Sequence, residues 1–166
     1  MTTHQHDSSN FVKLLRIVLA LALLGLCVAF IWSNSLQSPE ASASRSEAIA
    51  AFITPILSNI FGPQSSIVSF VYFRIRKIAH ALEFAMLGMT SIAMLGILGR
   101  IKASTTVYAA FMVLLVAVTD ETIQLFTNRG ASVADIVLDF AGGIAGILIA
   151  LIFYGIIRGI VRRIRS

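Results

Sequence analysis

The chain has 166 residues, of which 57% are hydrophobic, and a mean hydropathy of +0.88. Soluble domains contain about 45–50% apolar residues, so this composition excludes an ordinary soluble domain and predicts one integral membrane domain. The net charge of +5 arises largely from Arg158, Arg162, Arg163 and Arg165 near the C-terminus. Such a patch is typical of a tail held at anionic lipids, and without a soluble domain to present it we expect no nucleic-acid partner.

Four apolar segments are each close to the ~20 residues that cross a bilayer as a helix. Backbone groups in lipid must be hydrogen-bonded within their own segment, so the sequence predicts an all-α fold, an integral membrane four-helix bundle. The predicted spans are residues 11–32, 78–98, 105–126 and 133–157. A polar tail over residues 1–10 precedes this transmembrane domain (11–157), a loop over 33–77 interrupts it, and a basic tail over 158–166 follows it.

The first span is predicted to be an uncleaved anchor. Ala41-Ser42-Ala43 resembles a signal-peptide cleavage site, but the apolar run is longer than the ~7–15 residues of a signal core, and the site lies far beyond it.

The distribution of Lys and Arg predicts that both termini lie in the cytoplasm. With the N-terminus inside, the inner side holds eight basic residues and the outer side five, which follows the positive-inside rule. The outer five are Arg45, Arg74, Arg76, Lys77 and Arg129.

The loop over 33–77 is predicted to contain an amphipathic helix. Ser44-Arg45-Ser46-Glu47 matches a capping box at its start, and Gly62-Pro63 ends it. Apolar residues recur at helical spacing between these signals. The helix either lies on the outer membrane surface or packs over the bundle as a lid.

Five carboxylates in or beside the spans are the main functional signal, because an ionised residue at the bilayer centre costs roughly 2.5–3.5 kcal/mol. With the predicted orientation they fall near one face of the membrane. They are Glu83, Asp120, Glu121, Asp135 and Asp139.

Further polar residues are predicted at the same depth. Steps of three residues place Lys77, His80 and Glu83 near one face of the second span. Four-residue spacing places Gln124 on the face of Asp120, whereas Glu121 is turned by ~100°. Together with Arg76, Arg129 and Ser132, these residues predict one pocket that opens to the outer leaflet.

Two interpretations of this pocket remain open. The charges form a latch that holds the helices together, or the pocket binds and acts on a ligand. For the second, Arg76, Lys77 and Arg129 attract an anionic head group, with Glu121, Gln124, Ser132 and Asp139 as further contacts. The candidate group that orients the ligand, binds a cation or moves protons is His80, Glu83, Asp120 and Asp135.

The cofactor and the oligomeric state stay open. A divalent cation is one possible cofactor, but no spacing forms a specific metal motif. Gly142, Gly146 and Ala150 form a stripe of small residues that lets two helices approach closely. The stripe packs either within the chain or between two copies.

Two motifs resemble those of VanZ-like membrane proteins, and the resemblance covers about residues 32–157. Lys77-x-x-His80-x-x-Glu83-Phe84 is similar to the first motif of that family. The segment after Trp32 loosely matches an aromatic-Ser-Ser-Gln pattern, and Asp139 stands where the family often has Asn. The second motif is matched by Asp120-Glu121-x-x-Gln124-x-Phe126, Arg129-x-x-Ser132-x-x-Asp135 and Gly142.

The resemblance implies a multi-pass protein of the bacterial inner membrane. The family is named for a protein linked to low-level resistance to teicoplanin, a lipoglycopeptide that acts outside the membrane. We therefore expect the pocket to bind or modify an amphiphilic molecule of the cell envelope. The alternatives are a hydrolase or transferase within the membrane that acts on a lipid-linked substrate, and a structural partner whose charges form the latch.

Overall fold

The computed structural model describes the backbone of residues 3–165 and the side chains of residues 10–164. Over that range the chain forms five α-helices. They are α1 (Thr3–Ser35), α2 (Pro39–Phe61), α3 (Ser66–Ile97), α4 (Ala103–Phe126) and α5 (Val133–Arg165). All but α2 are long and apolar enough to cross a bilayer, which confirms the predicted all-α architecture with four spans.

The helices extend beyond the apolar segments that the sequence marked as spans. The segment with the second span begins at Ser66 rather than near residue 78, because Ser65 caps the helix by accepting a hydrogen bond from the Ile67 amide at 3.2 Å. Arg74, Arg76 and Lys77 therefore lie within α3, between its apolar first turns and the predicted span. Similarly, α1 starts at Thr3, and α5 continues through the basic tail to Arg165. The side chains of the first nine residues, which include His4 and His6, lie outside the described residues.

Helix α2 is the predicted amphipathic helix, but its predicted start was wrong. Ser38 is the N-cap, its side chain accepts from the Ala41 amide at 3.3 Å, and Pro39 occupies the first turn. The Ser44–Glu47 segment lies inside the helix. A proline is well suited to the first turn because its missing N–H would be unpaired there in any case. Gly62 ends the helix with a φ of 88°, as predicted.

Helix α2 packs on the bundle and also has an exposed apolar face. It packs against α3 and buries Ala50. At the same time Phe52, Ile56 and Ile60 stay exposed along one stripe of the helix. This stripe has the spacing of an apolar face that lies in lipid.

Glycines allow α5 to lie directly against the backbone of α3. A side-chain carbon at Gly142 would overlap the backbone carbonyl of Ala81, one at Gly146 that of Ala85, and one at Gly88 that of Gly143. Ala150 packs at the edge of the apolar core. The small-residue stripe therefore packs against α3 of the same chain. This leaves the predicted oligomer contact through Gly142, Gly146 and Ala150 without support.

Helices α1 and α4 complete the bundle around α3. Phe84, Leu87 and Ile92 of α3 are buried with Ile31 of α1 and Val113 of α4 in one apolar core. Large apolar residues stay exposed around the outside of all the helices. An apolar outer surface of this extent matches a lipid environment rather than water.

Candidate functional site

The polar residues predicted to form one pocket meet at one end of the bundle. The C-terminal ends of α1 and α4, the first turns of α5 and the middle of α3 contribute, together with the turn between α4 and α5. His80 lies at the centre of this polar cluster. Its Nδ1 is 3.7 Å from Oε2 of Glu83 and 4.0 Å from Oδ2 of Asp120. The three-residue step from His80 to Glu83 places both side chains on one face of α3, as predicted.

Asp120 is the most deeply buried carboxylate, with no exposed surface. Gln124, one helical turn later, donates from Nε2 to its Oδ2 at 2.9 Å. The four-residue spacing therefore brings the side chains of Asp120 and Gln124 into contact, as predicted. A buried carboxylate with one amide contact retains the capacity to accept more hydrogen bonds or to bind a cation.

Arg129 enters the cluster from the turn between α4 and α5 and is 5% exposed. Its Nη1 donates to the backbone carbonyl of Asn34 at 2.9 Å, which connects the turn to α1. Its Nη2 donates to Nε2 of His80 at 3.3 Å, because a guanidinium has no acceptor. A neutral His80 in this arrangement carries its proton on Nδ1, on the side of the carboxylates. Burial lowers the pKa of the Arg129 guanidinium, and the nearby Arg76 lowers this pKa further.

Glu121 points into the protein although its helical angle suggested a different direction from that of Asp120. It is 4% exposed, and its Oε2 accepts from the Ser132 amide at 3.1 Å. The Ser132 hydroxyl accepts from the Ala134 amide at 3.1 Å at the start of α5. Glu121 and Ser132 thus fix the turn that carries Arg129.

Lys77 and Asp135 form an ion pair between α3 and α5. The Lys77 side chain is 39% exposed, and the pair lies at the edge of the cluster. An exposed pair of this kind contributes roughly 0–1 kcal/mol. Its geometry is that of the predicted latch, but it involves only two of the charged residues.

The comparisons with known proteins agree with the motifs in this cluster. The family model described as VanZ/LLP1 matches residues 19–154, a range that includes the whole cluster.

The chain belongs to the VanZ/LLP1 family.

No curated protein and no solved structure shows a significant match to the chain. The family and the four long apolar helices together make it a multi-pass membrane protein.

Two residues of the polar cluster were missed by sequence reasoning. Asn34 donates from Nδ2 to Oε1 of Glu83 at 2.8 Å, and Arg45 of α2 donates to Oδ1 of Asn34 at 2.7 Å. The only signal for Asn34 was its place in the loosely matched pattern after Trp32. Arg45 had entered only as a charge for orientation, because nothing in the sequence indicated that α2 brings Arg45 next to Asn34 at the end of α1.

Two cavities of the VanZ/LLP1 fold meet at His80. A small one of about 20 Å³ lies between α3, α4 and α5, and Lys77, Asp135, Glu121 and Asp139 line it. This space holds about one water or one ion. A larger groove of about 180 Å³ lies between α1, α2 and α3, and its lining includes Asn34, Glu83 and three arginines. We call the second cavity the arginine groove; its arginines are Arg45, Arg76 and Arg129.

Several buried atoms of the cluster have no hydrogen-bond partner among the residues whose side chains are described. Buried polar atoms of this kind are uncommon and indicate a ligand, an ion or a water. They are Nδ1 of His80, Oε2 of Glu83, Oδ1 of Asp120 and Nε of Arg129.

Proposed function

We propose that the arginine groove of this VanZ/LLP1 protein binds the anionic head group of an amphiphilic molecule of the cell envelope. The observation that supports this is the presence of three arginines in one groove between α1, α2 and α3. Arginine suits this role because its planar guanidinium binds phosphate or carboxylate oxygens in pairs.

Arg76 and Arg129 form no close ion pair with a carboxylate in the described part of the chain. Arg76 is exposed at the groove and within reach of Arg129, whose pKa it lowers. Arg129 directs its Nη atoms to a carbonyl and an imidazole, and its Nε has no partner. Two neighbouring guanidinium groups repel each other, so an anion between them gains attraction from both.

The surroundings of the arginine groove suit an amphiphile rather than a free anion. Phe30 and Ile49 form apolar parts of its wall. The exposed stripe of α2, with Phe52 and Ile56, lies in the same helix as Arg45. A head group in the groove would therefore leave its hydrocarbon chain in the lipid beside α2.

We infer that this groove lies on the outer face of a bacterial inner membrane, with both termini inside, and the distribution of Lys and Arg supports this orientation. Envelope precursors and lipoglycopeptides are encountered on that face. The resemblance to VanZ connects such a site to teicoplanin resistance, and we include this phenotype in the proposal.

If the charged residues served only as a latch between helices, we would expect each cation to pair with a carboxylate. The Lys77–Asp135 pair has the geometry of a latch, whereas none of the three arginines of the groove forms a close ion pair with a carboxylate of the described residues. The second candidate is an enzyme that uses His80 as acid or base on a lipid-linked substrate. His80 suits this role because it lines both the arginine groove and the small cavity of about 20 Å³.

Replacing Arg76 by glutamine is expected to weaken the binding of an anionic amphiphile about tenfold, because one charge-assisted contact of roughly 1.5 kcal/mol is lost. The measurement is native mass spectrometry of the chain in nanodiscs with phosphatidylglycerol or a polyprenyl phosphate, against phosphatidylcholine. Arg74→Gln is the matched control, since Arg74 is exposed on the same helix and lines neither cavity.

Equal retention of the anionic lipids by the wild type and both variants would contradict head-group binding in the arginine groove. The same pair of variants tests the phenotype. If the wild type protects its host against teicoplanin, Arg76→Gln should lose this protection at an unchanged membrane level, whereas Arg74→Gln should keep it.

A further inference from the structure

We propose that His80, Asp120 and Asp139 bind one divalent transition-metal ion, of the class of Zn²⁺ or Mn²⁺, beside the arginine groove. The three residues come from three helices, α3, α4 and α5. One potential ligand atom from each lies within 4.8 Å of the other two. The site is distinct from the anion-binding role of the arginines and does not depend on the proposed head group.

The unpartnered atoms of the cluster support this site independently of its acidic composition. Asp120 is fully buried, and its Oδ1 has no hydrogen-bond partner within the described part of the chain. Nδ1 of His80 and Oε2 of Glu83 share this property and lie 3.7 Å apart. All three atoms are of types that bind metals, and they belong to one cluster.

The separations around His80 fit metal ligands better than direct hydrogen bonds. His80 Nδ1 lies 3.7 Å from Oε2 of Glu83 and 4.0 Å from Oδ2 of Asp120, the oxygen that accepts from Gln124, and both distances are too long for hydrogen bonds. Two ligands at about 2.0–2.2 Å from a tetrahedral ion lie about 3.3–3.6 Å apart. Small inward movements of the side chains would therefore complete the coordination.

Asp139 adds a second buried carboxylate whose charge a bound cation would neutralise. It is 2% exposed and forms no hydrogen bond or ion pair with the other described residues. The cavity of about 20 Å³ that it lines also borders His80 and Glu121. Buried carboxylates are normally paired, protonated or bound to a metal, and a divalent ion would compensate both Asp120 and Asp139.

The donor set determines the class of ion. One imidazole nitrogen with carboxylate oxygens, and no thiolate, suits Zn²⁺ or Mn²⁺ rather than a soft ion such as Cu⁺. Gln124, which donates to Oδ2 of Asp120, would orient this ligand as an outer partner.

Binding at Nδ1 requires that the neutral His80 ring carry its proton on Nε2. Nε2 then cannot accept from Arg129, whose Nη2 now donates to it at 3.3 Å. The Arg129 guanidinium must turn away from His80 when the ion binds. The guanidinium would turn within the arginine groove, which it lines, and would there contact a bound anion.

The test is titration of the purified, chelator-treated full chain with Zn²⁺ and, separately, with Mn²⁺. His4→Ala and His6→Ala are included in every variant, because the two N-terminal histidines form a possible unrelated site. We expect one ion per chain by calorimetry. We also expect a nitrogen coupling from His80 in the electron paramagnetic resonance of the Mn²⁺ form, and its loss in His80→Gln.

Asp120→Asn and Asp139→Asn should weaken the affinity at least tenfold. Glu47→Gln is the control, because Glu47 is an exposed carboxylate of α2 that lines neither the small cavity nor the arginine groove; the affinity of this variant should stay within about threefold of the wild type. Absence of stoichiometric binding of either ion to the wild-type chain would overturn the proposal without any variant. Unchanged affinity in Asp139→Asn would overturn it as well.

Discussion

Replacing Gly146 by alanine is expected to destabilise the helical bundle by about 3 kcal/mol or more. The added carbon would overlap the backbone carbonyl of Ala85. A backbone carbonyl cannot turn aside as a flexible side chain can, so α5 would have to move away from α3 along the whole contact. Overpacking commonly costs about 1–3 kcal/mol, and the present overlap with main chain belongs at the upper end. The measurement is thermal or denaturant unfolding in detergent, with the amount of folded protein in membranes.

Gly155→Ala is the matched control for Gly146→Ala. Gly155 lies on the same helix, and a carbon added there meets no atom within 4 Å. The control should be as stable as the wild type or slightly more so, because alanine is the better helix former. Equal stability of both variants would contradict the close packing of α3 and α5.

Replacing Arg129 by alanine is expected to destabilise the fold by about 3–5 kcal/mol, the usual cost when one partner of a buried charged group is removed. Arg129 is 5% exposed and connects the α4–α5 turn with α1 and His80. Without it, Glu83, Asp120 and Glu121 would lose the buried cation that lies among them. The free energy of unfolding measures this effect. Arg74→Ala, an exposed arginine of α3, is the control and should change it by less than about 0.5 kcal/mol.

A double-mutant cycle separates the charge effect from lost packing. Asp120→Asn removes one buried negative charge, so the pair Arg129→Ala and Asp120→Asn should be less destabilised than the sum of the single variants. A difference of about 1 kcal/mol or more indicates coupling. Strict additivity would mean that Arg129 acts through its contact with the Asn34 carbonyl and not through the carboxylates.

The sequence was sufficient to predict the four spans and most of the polar cluster. Apolar length identifies a span without tertiary information, and the three- and four-residue spacings placed His80 with Glu83 and Asp120 with Gln124. The prediction that the polar residues of different spans lie at one face of the membrane then followed from the orientation of the spans, because neighbouring spans cross the membrane in opposite directions.

The features that the sequence did not predict depend on tertiary contacts. The direction of Glu121 follows from the Ser132 amide that it binds. The roles of Asn34 and Arg45 follow from the contact of the Arg45 side chain of α2 with Asn34 at the end of α1. The start of α2 was misplaced because the capping box at Ser44 was interpreted as the N-terminus, whereas the helix is capped by Ser38, whose side chain accepts from the Ala41 amide. The glycine stripe left two partners possible until α3 was seen to occupy it.

Labelling of two single cysteines in intact cells tests most directly whether the arginine groove faces the envelope. The parent variant is Cys27→Ala, which removes the only cysteine. Gln64→Cys lies in the exposed turn between α2 and α3, on the side of the groove, and Ser104→Cys lies in the exposed first turn of α4, at the other end of the bundle. A membrane-impermeant maleimide added outside should label Gln64→Cys in intact cells and Ser104→Cys only after permeabilisation. The reverse pattern would place the groove in the cytoplasm and contradict a site for envelope molecules.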